Sequence, residues 1–144
     1  MFHKRRLMDS IILPIMTYGA QTWTLTKENG RKIQAEQMAM ARRILRISKL
    51  QHITNDEIRQ RTKFTDALCH AKCLKWDFCG HIQRLTVERW TRTVEKWQPN
   101  DTGRQKKRWK DEIEEIWLGR WREKANERKT WKILRESFVH NGLK

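Results

Sequence analysis

Apolar residues recur at steps of three and four along almost the whole chain, and strand-like alternation is scarce. Near the start, Leu7, Ile11, Ile15, Tyr18 and Leu25 keep roughly helical spacing, with Pro14 placed to kink the segment and Gly19 to let another backbone approach. The stretch "ILPIMTYGAQTWTLT", residues 12–26, is apolar on nearly every side and needs partners to cover it, so it reads as the interior of something larger. Thr26 is placed to cap a helix from Lys27 to about Ile47, whose stripe is Ile33, Met40, Ile44 and Ile47, widened by Met38, Ala41 and Leu45. Arg31, Lys32, Arg42, Arg43 and Arg46 fall mostly outside that stripe.

"TNDE", Thr54 to Glu57, has the spacing of a capping box and predicts a short helix through Arg61. Thr65 is expected to cap a longer helix over about 66–85, marked by Ala71, Leu74, Phe78, Ile82 and Leu85. Val87, Trp90, Val94 and Trp97 continue the rhythm and read as core until Pro99 stops it. "QPNDTGRQKK", Gln98 to Lys107, reads as a flexible joint. Beyond it, Trp109, Ile113 and Trp117 mark one helix; Trp131, Leu134 and Phe138 mark another capped by Asn126, and Gly142 is a fitting stop. The predicted class is all-α: a bundle of amphipathic helices over 1–97, a basic joint over 98–107, and a C-terminal helical unit over 108–144.

Charge changes the picture from fold to partner. Thirty-two Lys and Arg face 17 Asp and Glu, leaving a formal charge of +15, which favours a polyanion, nucleic acid first. A membrane partner would want a long apolar span or a helix with clean basic and apolar faces, and neither stands out. "FHKRRLMDSIILPIM" imitates a secretory signal, but Asp9, Ser10 and Pro14 break its apolar run. Hydrophobic content of 38% against 34% charged residues implies a thin core or one completed by a neighbour. Three closely spaced cysteines, Cys69, Cys73 and Cys79, argue against a disulfide framework and for an intracellular location, nuclear or cytoplasmic.

Those cysteines with His81 are the weak candidates for a metal site. Zinc needs four ligands converging tetrahedrally, whereas one continuous helix spreads these side chains around its circumference, so small packing residues and no metal are the expectation. Nothing supplies an oxyanion site for a Cys–His nucleophile, no Asp-Asp pair offers a two-metal site, and no glycine-rich phosphate loop occurs, so no cofactor and no enzymatic activity are expected of this chain. Trp90, Trp109 and Trp131 lie 19 and 22 residues apart, a Myb-like rhythm better explained by amphipathic packing. The firmer functional signal is cations beside indoles. "GRQKKRW" offers Arg104, Lys106, Lys107 and Arg108 before Trp109, and "LGRWREK" offers Arg120 and Arg122 around Trp121, groups able to hold phosphates near stacked bases.

The segments "LPIMTYGAQTWTLT", "GRKIQAEQMAMARRIL", "LKWDFCGHIQRL", "RWTRTVEKWQP", "GRQKKRWKDEI" and "RKTWKILRESFV" in this order resemble the C-terminal region of the endonuclease–reverse transcriptase polyproteins of non-LTR (LINE-type) retrotransposons. Thr17, Tyr18, Gly19, Thr22 and Trp23 match the segment downstream of that family's polymerase palm, with Gln21 in its acidic place. A second signature falls on Lys75, Trp76, Gly80 and His81, and a third on Gly103, Arg104, Arg108, Trp109 and Asp111, with Gln105 where proline is commoner. The resemblance implies a thumb-like helical region over 1–97 that binds RNA or DNA and packs against a palm. It also implies an RNA-directed DNA polymerase origin without the catalytic palm or endonuclease, in a truncated or degenerate reading frame. The alternative is a helical adaptor that binds an acidic protein.

Overall fold

The computed structural model describes residues 1–97, 107–117 and 120–141; Arg104, Lys106 and nearly all of the expected joint lie outside them. The chain is all-α, and no strand occurs among the described residues. It forms two compact units, the first of Met1–Gly19 with Leu25–Ala71, the second of Ala20–Thr24 with Lys72–Lys144. The line between the units is thus drawn within a helix, whereas the sequence expectation drew its line at the joint.

In the first unit, α1 (Phe2–Leu7) runs through a π-helical turn, Met8–Ile12, into α2 (Leu13–Met16). Pro14 has no N–H for an α-helical bond to Ser10, and the widened turn spans that position. Of the residues at helical spacing, Leu25 is buried and Leu7, Ile11, Ile15 and Tyr18 are exposed, while Met8, Leu13 and Thr17 take the buried side. Gly19, at φ 71°, then turns the chain through the left-handed region. Helix α3 (Lys27–Leu45) begins as expected, with Thr26 Oγ1 accepting from the Asn29 N–H at 3.2 Å. It stops at left-handed Arg46, short of Ile47. Its buried line is rotated toward Met38 and Ala41, which close with Ile58 of α4 (Asn55–Thr62) on Leu45, Ile47, Ile53 and Phe64. Thr54 caps α4 as expected, its Oγ1 accepting from the Glu57 N–H at 3.3 Å, while the Glu57 carboxylate pairs with Arg61.

The amide of Gln37, buried on α3, joins this core to the next helix. Its Nε2 donates to the Thr65 carbonyl at 2.6 Å, and its Oε1 accepts from the Ala67 N–H at 3.0 Å. Helix α5 (Ala67–Gln83) is two residues shorter at its C-terminal end than expected, and Asp66 rather than Thr65 caps it, accepting from the Cys69 N–H at 2.9 Å. Thr17 Oγ1 donates to the Leu13 carbonyl at 2.7 Å, so its 3.0 Å bond with His70 assigns the proton to Nδ1 of the ring. Burial holds the His70 imidazole below its ordinary value of 6.5, with the Asp9 carboxylate pulling it upward.

The second unit packs the rest of α5 with α6 (Trp90–Lys96), α7 (Asp111–Trp117), α8 (Trp121–Asn126) and α9 (Arg128–Asn141). Its centre is a pair of indoles, Trp76 and Trp131, stacked at 3.6 Å between centroids and 4° from parallel. Each indole N–H donates to the other residue's carbonyl, at 2.8 and 3.0 Å. Gly80 makes room for this stack: a Cβ there would lie 2.2 Å from Trp131 Nε1. Phe138 stacks on Trp76, and Trp117 and Trp121 close the sides. Asn126 ends α8 instead of capping α9; the Trp131 N–H bonds back to the Glu127 carbonyl at 2.9 Å.

Candidate nucleic-acid interface

Among the six cations expected to hold phosphate, the described ones are divided between structure and solvent. Lys107 is exposed but pairs with Glu115 at 2.7 Å. Arg108 is half-buried, and its guanidinium donates to the Trp97 carbonyl at 2.8 Å while its backbone N–H donates to Asp111 Oδ2 at 2.6 Å. Arg122 lies over the Trp121 ring at 4.7 Å and pairs with Glu114 and Glu95. Arg120 alone of the four projects freely, from the start of α8. Arg108 and Arg122 are thus engaged by partners within the second unit.

The signature residues are structural for the same reason. Lys75 is fully buried, 0% exposed, and donates to Glu112 Oε2 at 2.8 Å, with Lys72 sharing that carboxylate at 3.6 Å. Trp76 and Gly80 form the seat for Trp131. Trp109 is half-buried against Phe78, their ring centroids 5.7 Å apart, and Asp111, the first residue of α7, accepts from the Arg108 N–H ahead of the helix. His81 is exposed. The motif spacing thus encodes a core built from two stacked indoles and a buried ion pair.

Cys69 and Cys73 are half-buried and Cys79 is buried, all as free thiols. Burial pushes the Cys73 thiol up and the Cys79 thiol well above the usual range, which keeps both protonated and poor as ligands or nucleophiles. The three cysteines and His81 do not converge, and no group of three or more His, Cys, Asp and Glu side chains among the described residues is placed to hold a metal ion. No helix among them is long and apolar enough to cross a membrane.

The cations that stay free lie elsewhere. Arg89 and Lys96 flank α6, and Arg128, Lys129 and Lys132 lie on the first two turns of α9; all five are exposed and make no ion pair among the described residues. Helix α6 carries the arrangement that the periodicity misread. Its buried face is polar: Glu95 is paired with Lys110 at 2.9 Å, and Lys110 also donates to the Glu95 carbonyl at 2.6 Å. Arg92 donates to the Ile82 carbonyl at 3.3 Å and to the Gln83 side chain. The rhythm Val87, Trp90, Val94 and Trp97, expected as core, faces solvent, with Trp90 82% and Trp97 64% exposed. The sequence held one signal for this inversion, the glutamate and arginine between the indoles, whose partners Lys110 and Gln83 are distant or unremarkable in the chain.

A protein of Caenorhabditis elegans, named as an uncharacterized transposon-derived protein, is 30% identical to the chain over 142 aligned residues. No protein-family model matches the chain, and no solved structure does. The alignment covers 87% of this chain and 51% of the worm protein, so the chain spans about half the length of the curated relative it matches. The similarity supports a transposon origin for the chain.

Proposed function

We propose that the chain is a nucleic-acid-binding part of a non-LTR retrotransposon reverse transcriptase, with no polymerase or nuclease chemistry of its own. The transposon-derived relative supports the origin, and the ordered segments of the sequence support the narrower family. The observation that carries binding is the set of exposed cations in the second unit that make no ion pair among the described residues: Arg89, Lys96, Arg120, Arg128, Lys129 and Lys132. Solvation alone does not call for so many unneutralised cations, whereas phosphate contacts do. The carboxylates that would hold catalytic metal ions in such a polymerase belong to its palm, so the work left to this chain is holding and guiding a strand. The palm is the natural partner of the exposed apolar stripe Leu7, Ile11, Ile15 and Tyr18 in the first unit.

Equilibrium binding to RNA, DNA and a hybrid over a range of salt tests this reading. Neutralising about five phosphates on duplex gives a slope of log K against log salt of about −4 to −5. Replacing Arg128, Lys129 and Lys132 together by Gln flattens that slope by up to about 3 and weakens all sequences alike. Absence of salt-dependent binding to all three at low ionic strength overturns the proposal in favour of an adaptor for an acidic protein.

A further inference from the structure

We infer that the outward face of α6, with Trp90 and Trp97 as its two indole platforms, stacks on the bases of a single-stranded nucleic acid. This rests on the nucleic-acid reading above and names the form of ligand and the residues that take it.

Three observations carry it. First, the face is exposed because the opposite face is tied down. Glu95 is held by Lys110, Arg92 reaches the Ile82 carbonyl, and the last carbonyls of the helix, those of Glu95 and Trp97, accept from Lys110 and Arg108 at 2.6 and 2.8 Å. A helix fixed on that side has no freedom to turn its indoles inward, since doing so would strip the buried Glu95 of its cations. Second, the indoles mark the two ends of α6, Trp90 as its first residue and Trp97 as the extended residue that ends it; six to seven residues at helical rise cover about 10 Å, which matches two to three stacked bases at a rise of about 3.4 Å each. Third, the charge suits a phosphate strand. Arg89 and Lys96 flank the indoles, exposed and unpaired among the described residues. Of the carboxylates in residues 84–97, Glu95 is already neutralised inside, leaving Glu88 in solvent.

Exposed aromatic rings between cations suit unpaired bases with their phosphates. A duplex hides its base faces and offers nothing for the indoles to stack on. In the exposed stripe Leu7, Ile11, Ile15 and Tyr18 of the first unit, Tyr18 alone carries a ring, so the stripe offers no pair of platforms.

The experiment uses the full chain and fluorescence-labelled oligothymidine, oligouridine, a duplex of equal length, and a strand of abasic sites. Trp90→Ala with Trp97→Ala, both at exposed positions, is expected to weaken single-strand binding by about fivefold or more per indole, leaving duplex affinity and the salt slope unchanged. The wild-type chain should bind the abasic strand, which keeps its phosphates and lacks bases, as weakly as the double variant binds the intact one. That comparison needs no variant and so stands even if the substitutions disturb folding. Equal binding of intact and abasic strands by the wild type overturns the inference while leaving the salt-dependent reading in place, as does a folded double variant that binds single strands like the wild type. If the wild type binds no nucleic acid at low salt, the broader reading fails and the inference with it.

Discussion

In the first unit, Met38, Ala41 and Ile58 close an apolar core while Lys27, Arg31, Arg43 and Arg46 on α3 stay in solvent. In the second, Lys75, Lys110, Glu95 and Glu112 lie inside or nearly so, and Trp90, Val94 and Trp97 lie outside. Both units are built from helices of one basic chain, yet the usual sorting of residues holds for most of α3 and is reversed for α6. The difference teaches where burial of charge comes from. A lysine enters the core only when a carboxylate arrives from another helix to meet it, as Glu112 on α7 meets Lys75 on α5. Such a pair adds little net stability over an apolar replacement, but it makes each partner intolerant of losing the other.

The sharpest break in that comparison comes from Glu112→Ala, which takes the carboxylate away from the fully buried Lys75. The expected cost is about 3–5 kcal/mol. Glu28→Ala, which dissolves the solvent-exposed Lys32–Glu28 pair of the first unit at 2.8 Å, is expected to cost under about 1 kcal/mol. Denaturant titration followed by circular dichroism reads both, and similar costs for the two would mean that the second unit does not keep its charges inside.

A middle-sized effect is expected where the first unit does bury polarity. Gln37→Ala orphans the Thr65 carbonyl and the Ala67 N–H at the start of α5, at a cost of about 1–3 kcal/mol. Amide exchange at Ala67 should quicken with it. An unchanged midpoint would show that water replaces the glutamine amide and that this joint is not closed.

The smallest effect concerns His70. Its folded-state pKa lies below the unfolded value of 6.5, so the unfolded chain takes up the proton first as pH falls. The stability contribution is present above about 6.5 and is lost as pH falls from there through the folded value. His70→Gln should remove that part of the pH dependence when the midpoint is followed between neutral and mildly acid pH; an unaltered pH profile would show that the ring titrates as in water.

The sequence made the all-α class and both N-caps of the first unit legible, because Thr26 and Thr54 act on residues three positions away. Local rules reach that far. The rest depended on partners that spacing cannot name. Whether Leu7 or Met8 faces inward on a helix apolar on nearly every side is decided by what packs on it, and periodicity names no side there. The basic run ending in Arg108 was visible as charge, but its tie to the Trp97 carbonyl spans the joint and leaves no trace in spacing. Gly80 was visible as part of a signature, while its reason, the edge of Trp131 lying where a Cβ would be, comes from a residue far along the chain. The exposed face of α6 was misread for a related cause: a step of three and four says which residues share a face, not which way the face points.

The central claim, that α6 turns its indoles to solvent and to bases while Trp76, Trp121 and Trp131 build the core, is tested most directly by acrylamide quenching of tryptophan fluorescence with and without a single-stranded oligonucleotide. The eight tryptophans should divide into an accessible class dominated by Trp90 and Trp97 and a shielded class containing Trp76, Trp121 and Trp131. Adding the strand should protect the accessible class, and Trp90→Phe with Trp97→Phe should remove most of the protectable signal. Quenching that reaches all classes alike, or an accessible class that the bound strand leaves equally open, would contradict the account.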